Sequence, residues 1–403
     1  MTHDLHVTGM AYIGDLFQLP PVKGGPVYKH NPNSNVSDKD INGEEIWFTA
    51  LNSVILLDKN FRQQDKTFLE ICRAIRFGRV TQHHLDAMNE RIITKDNMPP
   101  PDALYIYPFN KQVLAVNIIM THRYAQENKI PVIRLLADVC PSPDDVHHAT
   151  AGSHGTRALI RDDSHDVFSG FTLGKSSTDN DREGLLSILD LHLGAPLILC
   201  NVSNDLQVKY NIANNSTGKL IGFWPPSSNQ NLEGPKNVKL IDDNTNGTVY
   251  YPAAGHEVTH LLIQMNNPNG KSFQMPGLPP NVYALARKKT TTAVRCQDGR
   301  KHVVAQFPVR LFYSSTGDKV QGASLIRPVV LGAVNNNRTN FMYVVITRVL
   351  RLVPQLYLAR KLTMHDMSFC GPDALLEAEM ERLEGIEQQT IRRIETCPRI
   401  AGM

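Results

Sequence analysis

An amide at the end of an apolar run is the first side chain that asks for a chemical role. The stretch IGDLFQLPPV (13–22) follows the apolar run VTGMAYI (7–13) and turns sharply at Pro20-Pro21. Gln18 sits in that turn, three residues after Gly14-Asp15. Its amide donates and accepts at once, and it meets an anion without the repulsion a carboxylate would bring. Two arginines are matched to the same kind of ligand. Arg62 lies in LDKNFRQ (57–63), directly before Gln63, and Arg348 lies in YVVITRV (343–349). A planar guanidinium fits the oxygens of a phosphate or a carboxylate. The stretch STGDKVQGASL (315–325) sets Thr316, Lys319, Gln321 and Gly322 in a glycine-containing turn. Such a turn ahead of a helix exposes N–H groups that suit phosphate. Residues 281–310 hold seven Lys/Arg, among them Lys288, Lys289 and Arg295, against one Asp. One reading is a basic face that tracks single-stranded nucleic acid; the other is a set of solvated hairpin ends.

The elements that must position these residues alternate between types. VTGMAYI reads as a strand and VILLD (54–58) as another. A helix follows, with Asp65 as N-cap, Phe68, Ile71, Cys72 and Ile75 on one face, and Gly78 as its stop. Thr81 caps a second helix that carries Leu85, Met88 and Ile92. ALYIY (103–107) is a strand and NKQVLAVNIIMTHRYAQ (110–126) a helix. Residues 141–190 carry nine Asp/Glu against four Lys/Arg with many Ser, Gly and His, the composition of a surface loop. From Gly194 to Pro308 come short strands separated by turn residues, with Asn246-Gly247 as a hairpin signal. VRLFYSS (309–315), RPVVLG (327–332) and MYVVIT (342–347) read as buried strands of a parallel sheet. The tail from Asp373 to Ile394 reads as a helix with Leu376, Met380, Leu383, Ile386, Ile391 and Ile394 on one side.

Composition narrows the class without naming it. The chain has 403 residues, 41% hydrophobic and 20% charged, and a formal net charge of +3, too small to argue nucleic-acid binding by itself. No apolar run reaches the ~20 residues that span a bilayer, so no membrane partner is expected. Six scattered cysteines form no Cys-x-x-Cys pair, which fits neither a zinc site nor a disulfide framework. With no signal peptide evident, the expected setting is nuclear or otherwise intracellular. GKSS (174–177) lacks the first glycine of a phosphate loop, since Ser169 stands there. VILLD and KLIDD (239–243) end in Asp without the Glu of a magnesium pair. His147, His148, His154 and His165 lie in the acidic loop, and no residue is assigned to a metal.

Taken in order, GDLFQLPPV (14–22), LDKNFRQ, STGDKVQGASL and YVVITRV resemble the motifs of the Pif/RecD-like superfamily-one DNA helicases. LGAPLILCNV and IANNSTGKLIGF (within 193–223) resemble the stretch that leads into their inserted Src-homology-three-like barrel. The likeness runs from Gly14 to about Leu358, and the Helitron-transposon branch is nearest in pattern. The resemblance implies an α/β fold: a RecA-like second motor lobe with an inserted small β-barrel and a remnant of the first lobe. It divides the chain into 1–52 (first-lobe remnant), 53–140 (second lobe), 141–190 (acidic loop), 191–308 (barrel), 309–362 (second lobe resumed) and 363–403 (helical tail).

The resemblance also assigns roles. Gln18 becomes a sensor of the γ-phosphate, and Arg62 and Arg348 become the arginines that neutralise it. Gly14, Asp15, Gln63, Gln321 and Gly322 couple to the nucleotide. Thr316, Lys319, Asn214, Lys288, Lys289 and Arg295 touch DNA. Two residues depart from the family: Asp318 stands where His is usual, and Val320 where a small residue is usual. Asp318 is expected to set a negative charge beside the phosphate track and weaken DNA contact. ATP and Mg²⁺ are the implied cofactors and single-stranded DNA the implied partner. The phosphate loop and the Asp-Glu magnesium pair precede the glutamine motif in the family, and only 13 residues precede Gly14. The expectation is therefore the C-terminal portion of an ATP-dependent DNA helicase, inactive alone, that pairs with a separate or missing first lobe. A non-catalytic nucleic-acid-binding remnant is the alternative. Residues up to about 50 are expected to be poorly held without that lobe.

Overall fold

The structure is a computed structural model. It describes residues 11–21, 25–29, 43, 45–141, 185–186, 188–200, 202, 209–224, 241–243, 248–253, 258–266, 272–291, 294–295, 301–332 and 338–396. The chain divides into two compact units, one of Met1–Asn110 with Ser315–Met403 and one of Lys111–Ser314.

In the first unit, α1 (Lys66–Arg76) begins where the Asp65 carboxylate accepts from Phe68 N–H at 3.2 Å. Its buried face is Phe68, Ile71, Cys72 and Ile75, as the spacing predicts. Gly78 ends the turn with φ +65, and a Cβ there would lie 3.1 Å from the Cys370 carbonyl. Thr81 and His84 form the capping box of α2 (Gln82–Asn89), which buries Leu85 and Met88. The strand β1 (Leu104–Tyr107) then enters the sheet of this unit.

The second unit opens with α3 (Asn110–Asn128), then β2 (Val132–Leu136), β3 (Asp138–Pro141), β4 (Ile188–Leu191) and β5 (Pro196–Leu199). It continues with β6 (Thr217–Trp224), β7 (Ile241–Asp243), β8 (Thr248–Ala253), β9 (His260–Met265) and β10 (Val282–Ala286). The last strands are β11 (Lys288–Lys289), β12 (Val294–Arg295), β13 (Lys301–Gln306) and β14 (Val309–Leu311). An antiparallel sheet runs β10-β9-β6-β5-β14, and the other strands form the sheets β4-β2-β8-β7 and β11-β13-β12 with β3 on β13. Alternating burial along β6 and β9 puts Leu220, Leu261 and Ile263 into one core with Leu197, Leu199 and Phe307. The Asn246-Gly247 turn lies outside the described residues, but β7 and β8 on either side pair antiparallel, Asp243 against Thr248. The acidic loop ends earlier than expected, because Ile188–Leu191 pairs with β2. Most of that loop, with its histidines and GKSS, lies outside the described residues.

The chain returns to the first unit through β15 (Ser314–Thr316), α4 (Gly317–Val320), β16 (Val329–Leu331), α5 (Phe341–Ile346), β17 (Leu356–Leu358), α6 (Met364–Met367) and α7 (Ala374–Glu395). The sheet order is β15-β1-β16-β17, with β1, β16 and β17 parallel. Among the described residues, no helix is long and apolar enough to cross a membrane.

Five expectations are corrected. MYVVIT is the helix α5, not a strand; all six residues Phe341–Ile346 are buried, so the run shows no period to tell the two apart. The third parallel strand is Leu356–Leu358 instead. VRLFYSS is split: Val309–Leu311 pairs antiparallel with β5, and only its end joins the parallel sheet. VILLD is extended but unpaired with any strand, since its N–H groups go to a helix. Val54 N–H donates to Thr390 Oγ1 at 3.1 Å and Leu56 N–H to Glu387 Oε1 at 2.5 Å. Ala11, Tyr12 and Ile13, the described end of VTGMAYI, are not a strand either. On α7, Ile391 and Ile394 are exposed, and the buried face carries Glu379 and Thr390 in their place. That rotation serves the neighbouring segment: Trp47 Nε1–H donates to Glu379 Oε1 at 2.9 Å. Among the described residues before position 50, Phe17 is buried as well.

Candidate active site

Asn60 sets the direction of the arginine loop. Its Oδ1 accepts from the N–H groups of Arg62 at 2.9 Å and Gln63 at 3.1 Å, an Asx turn. Its amide nitrogen donates to Gln63 Oε1 at 2.8 Å. The buried Gln63 then donates to the carbonyls of Thr347 at 2.9 Å and Val349 at 2.8 Å. Arg62 reaches the same carbonyl, with Nη1 3.1 Å from Thr347 O and Nε 2.9 Å from Ser324 Oγ. Arg348, only 3% exposed, donates from Nε to Val344 O and from Nη2 to Thr347 Oγ1, both at 3.0 Å.

Arg62 therefore meets Arg348 at Thr347, a residue 285 positions from Arg62 in sequence. Among the described residues neither arginine has a carboxylate within ion-pair distance. Burial, and then the charge of Arg62, draw the Arg348 guanidinium down to about 10. It stays protonated at neutral pH, so the site holds two cations on neutral oxygens. An anion with several oxygens would satisfy both. Cys72 lies near the pair, its thiol pushed up to about 12 by burial.

Gln18 belongs to a second cluster in this unit. Its N–H donates to Asp15 O at 3.2 Å, and its amide nitrogen lies 3.5 Å from Asp15 Oδ2. Asp15 is held by Arg76, whose Nη1 is 2.8 and 2.9 Å from the two carboxylate oxygens. Tyr343 hydroxyl adds a third bond at 3.2 Å. Burial would raise the Asp15 carboxyl, but the bonds and charge of Arg76, with Phe17 N–H and Gln18, outweigh it and hold the group below its ordinary range. The carboxylate expected to couple to nucleotide is thus spent on Arg76. Gly14 has open space around it. Sequence reasoning missed Arg76 and Tyr343. The only signal was their position, Arg76 at the end of α1 and Tyr343 inside the apolar run misread as a strand.

The stretch 315–325 has its buried part and its exposed part. Thr316 is buried ahead of α4, while Gln321 and Gly322 are exposed at its end, Gly322 with φ +80. Lys319 is half-buried. Asp318 does not present an open charge: Arg338 grips it with two bonds, 2.6 and 2.8 Å, and holds its carboxyl below the ordinary range. The charge expected beside a phosphate track is thus paired with Arg338. In the second unit, the exposed Asn214 accepts from Val202 N–H at 2.7 Å, and Lys288 and Lys289 pair with Gln306 and Ala305. Arg287 turns inward, to Leu136 O at 2.9 Å and over the Phe307 ring at 4.7 Å, so the basic stretch is not one continuous face. Arg295 lies on β12 opposite Lys301. Among the described residues no group of His, Cys, Asp and Glu is arranged to hold a metal ion.

No protein-family model matches the chain. It is 32% identical over 108 residues to ATP-dependent DNA helicase RRM3 of Saccharomyces cerevisiae, a match covering 26% of this chain and 14% of that protein. It is 29% identical over 114 residues to ATP-dependent DNA helicase PIF1 of Emericella nidulans, covering 28% of this chain and 14% of that protein. Among solved structures, Pif1 helicase from Bacteroides in complex with ADP-AlF3 and ssDNA superimposes with a TM-score of 0.54 at 15% identity, over 92% of this chain and 66% of that one. Pif1 helicase from Candida albicans gives 0.51 at 16% identity, over 92% and 67%. The chain spans about a seventh of each curated relative in matched sequence and about two thirds of the solved helicases in fold.

Proposed function

From a chain that is a partial relative of the Pif1/RRM3 helicases and shares their RecA-like α/β fold, we propose the arginine-bearing portion of an ATP-dependent DNA helicase. The observation that carries this reading is the meeting of Arg62 and Arg348 at Thr347 with no carboxylate in ion-pair reach among the described residues. Two guanidiniums held on neutral oxygens suit the γ-phosphate, where they neutralise charge that develops in phosphoryl transfer. Gln18 would orient the attacking water, and Thr316, Lys319, Gln321 and Gly322 would pass DNA contact to the nucleotide. The strands of the second unit would correspond to the inserted barrel, with Asn214, Lys288, Lys289 and Arg295 toward single-stranded DNA.

A nucleoside triphosphate is what this cation pair would fit, and the names of the relatives point to ATP. No described residue is assigned to Mg²⁺, and Asp15 is already paired with Arg76. The 403 residues contain no Gly-x-x-x-x-Gly-Lys-Ser/Thr stretch, so the β- and γ-phosphates need a cradle from another lobe.

The test is ATP turnover with single-stranded DNA. The 403-residue chain alone should stay below about 0.1 s⁻¹, under the ~1–10³ s⁻¹ of ordinary enzymes. Supplying a phosphate-loop lobe of a Pif1 relative, to give an assembled motor, should restore DNA-stimulated turnover. Binding of DNA with no turnover in that assembly would favour the non-catalytic nucleic-acid-binding reading.

A further inference from the structure

Arg76 is where three separate segments of the first unit meet. Its guanidinium bonds both oxygens of Asp15 at 2.8 and 2.9 Å and donates to the Tyr343 hydroxyl at 2.6 Å. It also lies 4.0 Å from the centre of the buried Phe17 ring. Tyr343 hydroxyl donates on to Asp15 at 3.2 Å, which closes the triad. One turn further along α5, Thr347 Oγ1 donates to Tyr343 O at 2.7 Å, and Thr347 is the residue on which Arg62, Gln63 and Arg348 converge. A continuous path of contacts thus runs from the Gln18 turn, through Arg76 and Tyr343, to the arginine pair.

We infer that Arg76 is a positioning residue: it locks the Asp15–Gln18 turn onto α5 and so fixes Gln18 in register with Arg62 and Arg348. The locking is a matter of geometry alone. What the register serves rests on the proposed helicase reading. Arginine suits this place because one nitrogen, Nη1, reaches the carboxylate and the hydroxyl while the guanidinium plane lies over the Phe17 ring; a lysine ammonium supplies the charge but not the flat face. The ionisable and charged groups facing Asp15 are Arg76 from α1, Tyr343 from α5 and, further off, Arg348. A carboxyl held below its ordinary value contributes order that is complete above that value and is lost as pH falls through the lower folded one.

The experiment is amide hydrogen exchange on the full 403-residue chain from pH 3 to 8, expressed as protection factors. The Phe17 and Gln18 amides are read against Val344 and Val345 of α5 as the internal reference. At pH 7, Arg76→Gln should lower protection of Phe17 and Gln18 about tenfold, the scale of losing local rather than global stability, while α5 holds. Arg76→Lys should fall between Arg76→Gln and the parent chain. The pH at which the turn loses protection should rise in Arg76→Gln, because burial of Asp15 is then opposed only by the Phe17 N–H and Gln18 bonds. Protection within twofold of the parent, or an unmoved pH midpoint, overturns the inference. If Arg62→Ala and Arg348→Ala leave turnover of the assembled motor unchanged, the helicase reading falls, and the exchange result still decides the role of Arg76.

Discussion

Arg348→Met is expected to lower DNA-stimulated ATP turnover of the assembled motor at least ~10³-fold, the scale of removing an arginine that stabilises phosphoryl transfer. The same change should leave the melting temperature unchanged or slightly raised. Arg348 is a buried cation with no carboxylate within ion-pair distance among the described residues, and its guanidinium is drawn down to about 10 by burial and by Arg62. Folding at neutral pH therefore works against this charge, and an unbranched apolar side chain of similar length removes that opposition. The sign follows from linkage. A base whose folded value is depressed destabilises the fold while it is charged, and the penalty fades only above about pH 10. Turnover and thermal melting, measured on one preparation, check both halves. A loss of activity that merely tracks a loss of stability would point to a structural arginine.

Gly317→Ala is expected to destabilise the first unit by ~1–3 kcal/mol, the usual cost of forcing atoms into a filled core. A Cβ at Gly317 would come within 2.6 Å of Phe341 and 3.4 Å of Val345. Phe341 is itself buried, so its ring must shift within the core to admit the methyl. Gly322→Ala, in the same motif, meets nothing within 4 Å and is strained only through its φ of +80. Chemical denaturation should rank Gly317→Ala as the more damaging of the two. Equal effects would mean that the close approach of α4 to α5 is not what requires glycine.

Local signals marked α1, α2, α3 and α7. Asp65 and Asp373 cap α1 and α7 as their types predict, because a side-chain oxygen answers an orphan N–H within three residues. Apolar runs without a period were the weak point. MYVVIT packs on every side, so its pattern fits a strand and a helix equally, and no local signal marks it as α5. VILLD has strand composition, but Thr390 and Glu387 of α7 answer its N–H groups instead of a neighbouring strand. That is a contact 331 to 336 residues away, beyond any local window. In the site, Gln18, Arg62 and Arg348 stood out because they fall in stretches whose order resembles helicase motifs; each by itself also reads as a turn cap or a surface cation. Arg76 and Arg338 did not, since each acts by pairing with a carboxylate distant in sequence, Asp15 or Asp318.

The central claim is that Arg62 and Arg348 form one anion site. The most direct measurement is a structure of the assembled motor with single-stranded DNA and ADP–aluminium fluoride, which stands in for the transferring phosphate. The account predicts both guanidiniums within hydrogen-bond distance, ~3 Å, of the fluoride. If both remain on Thr347 and Val344, as in the free chain, with the fluoride held by other residues, the account is contradicted.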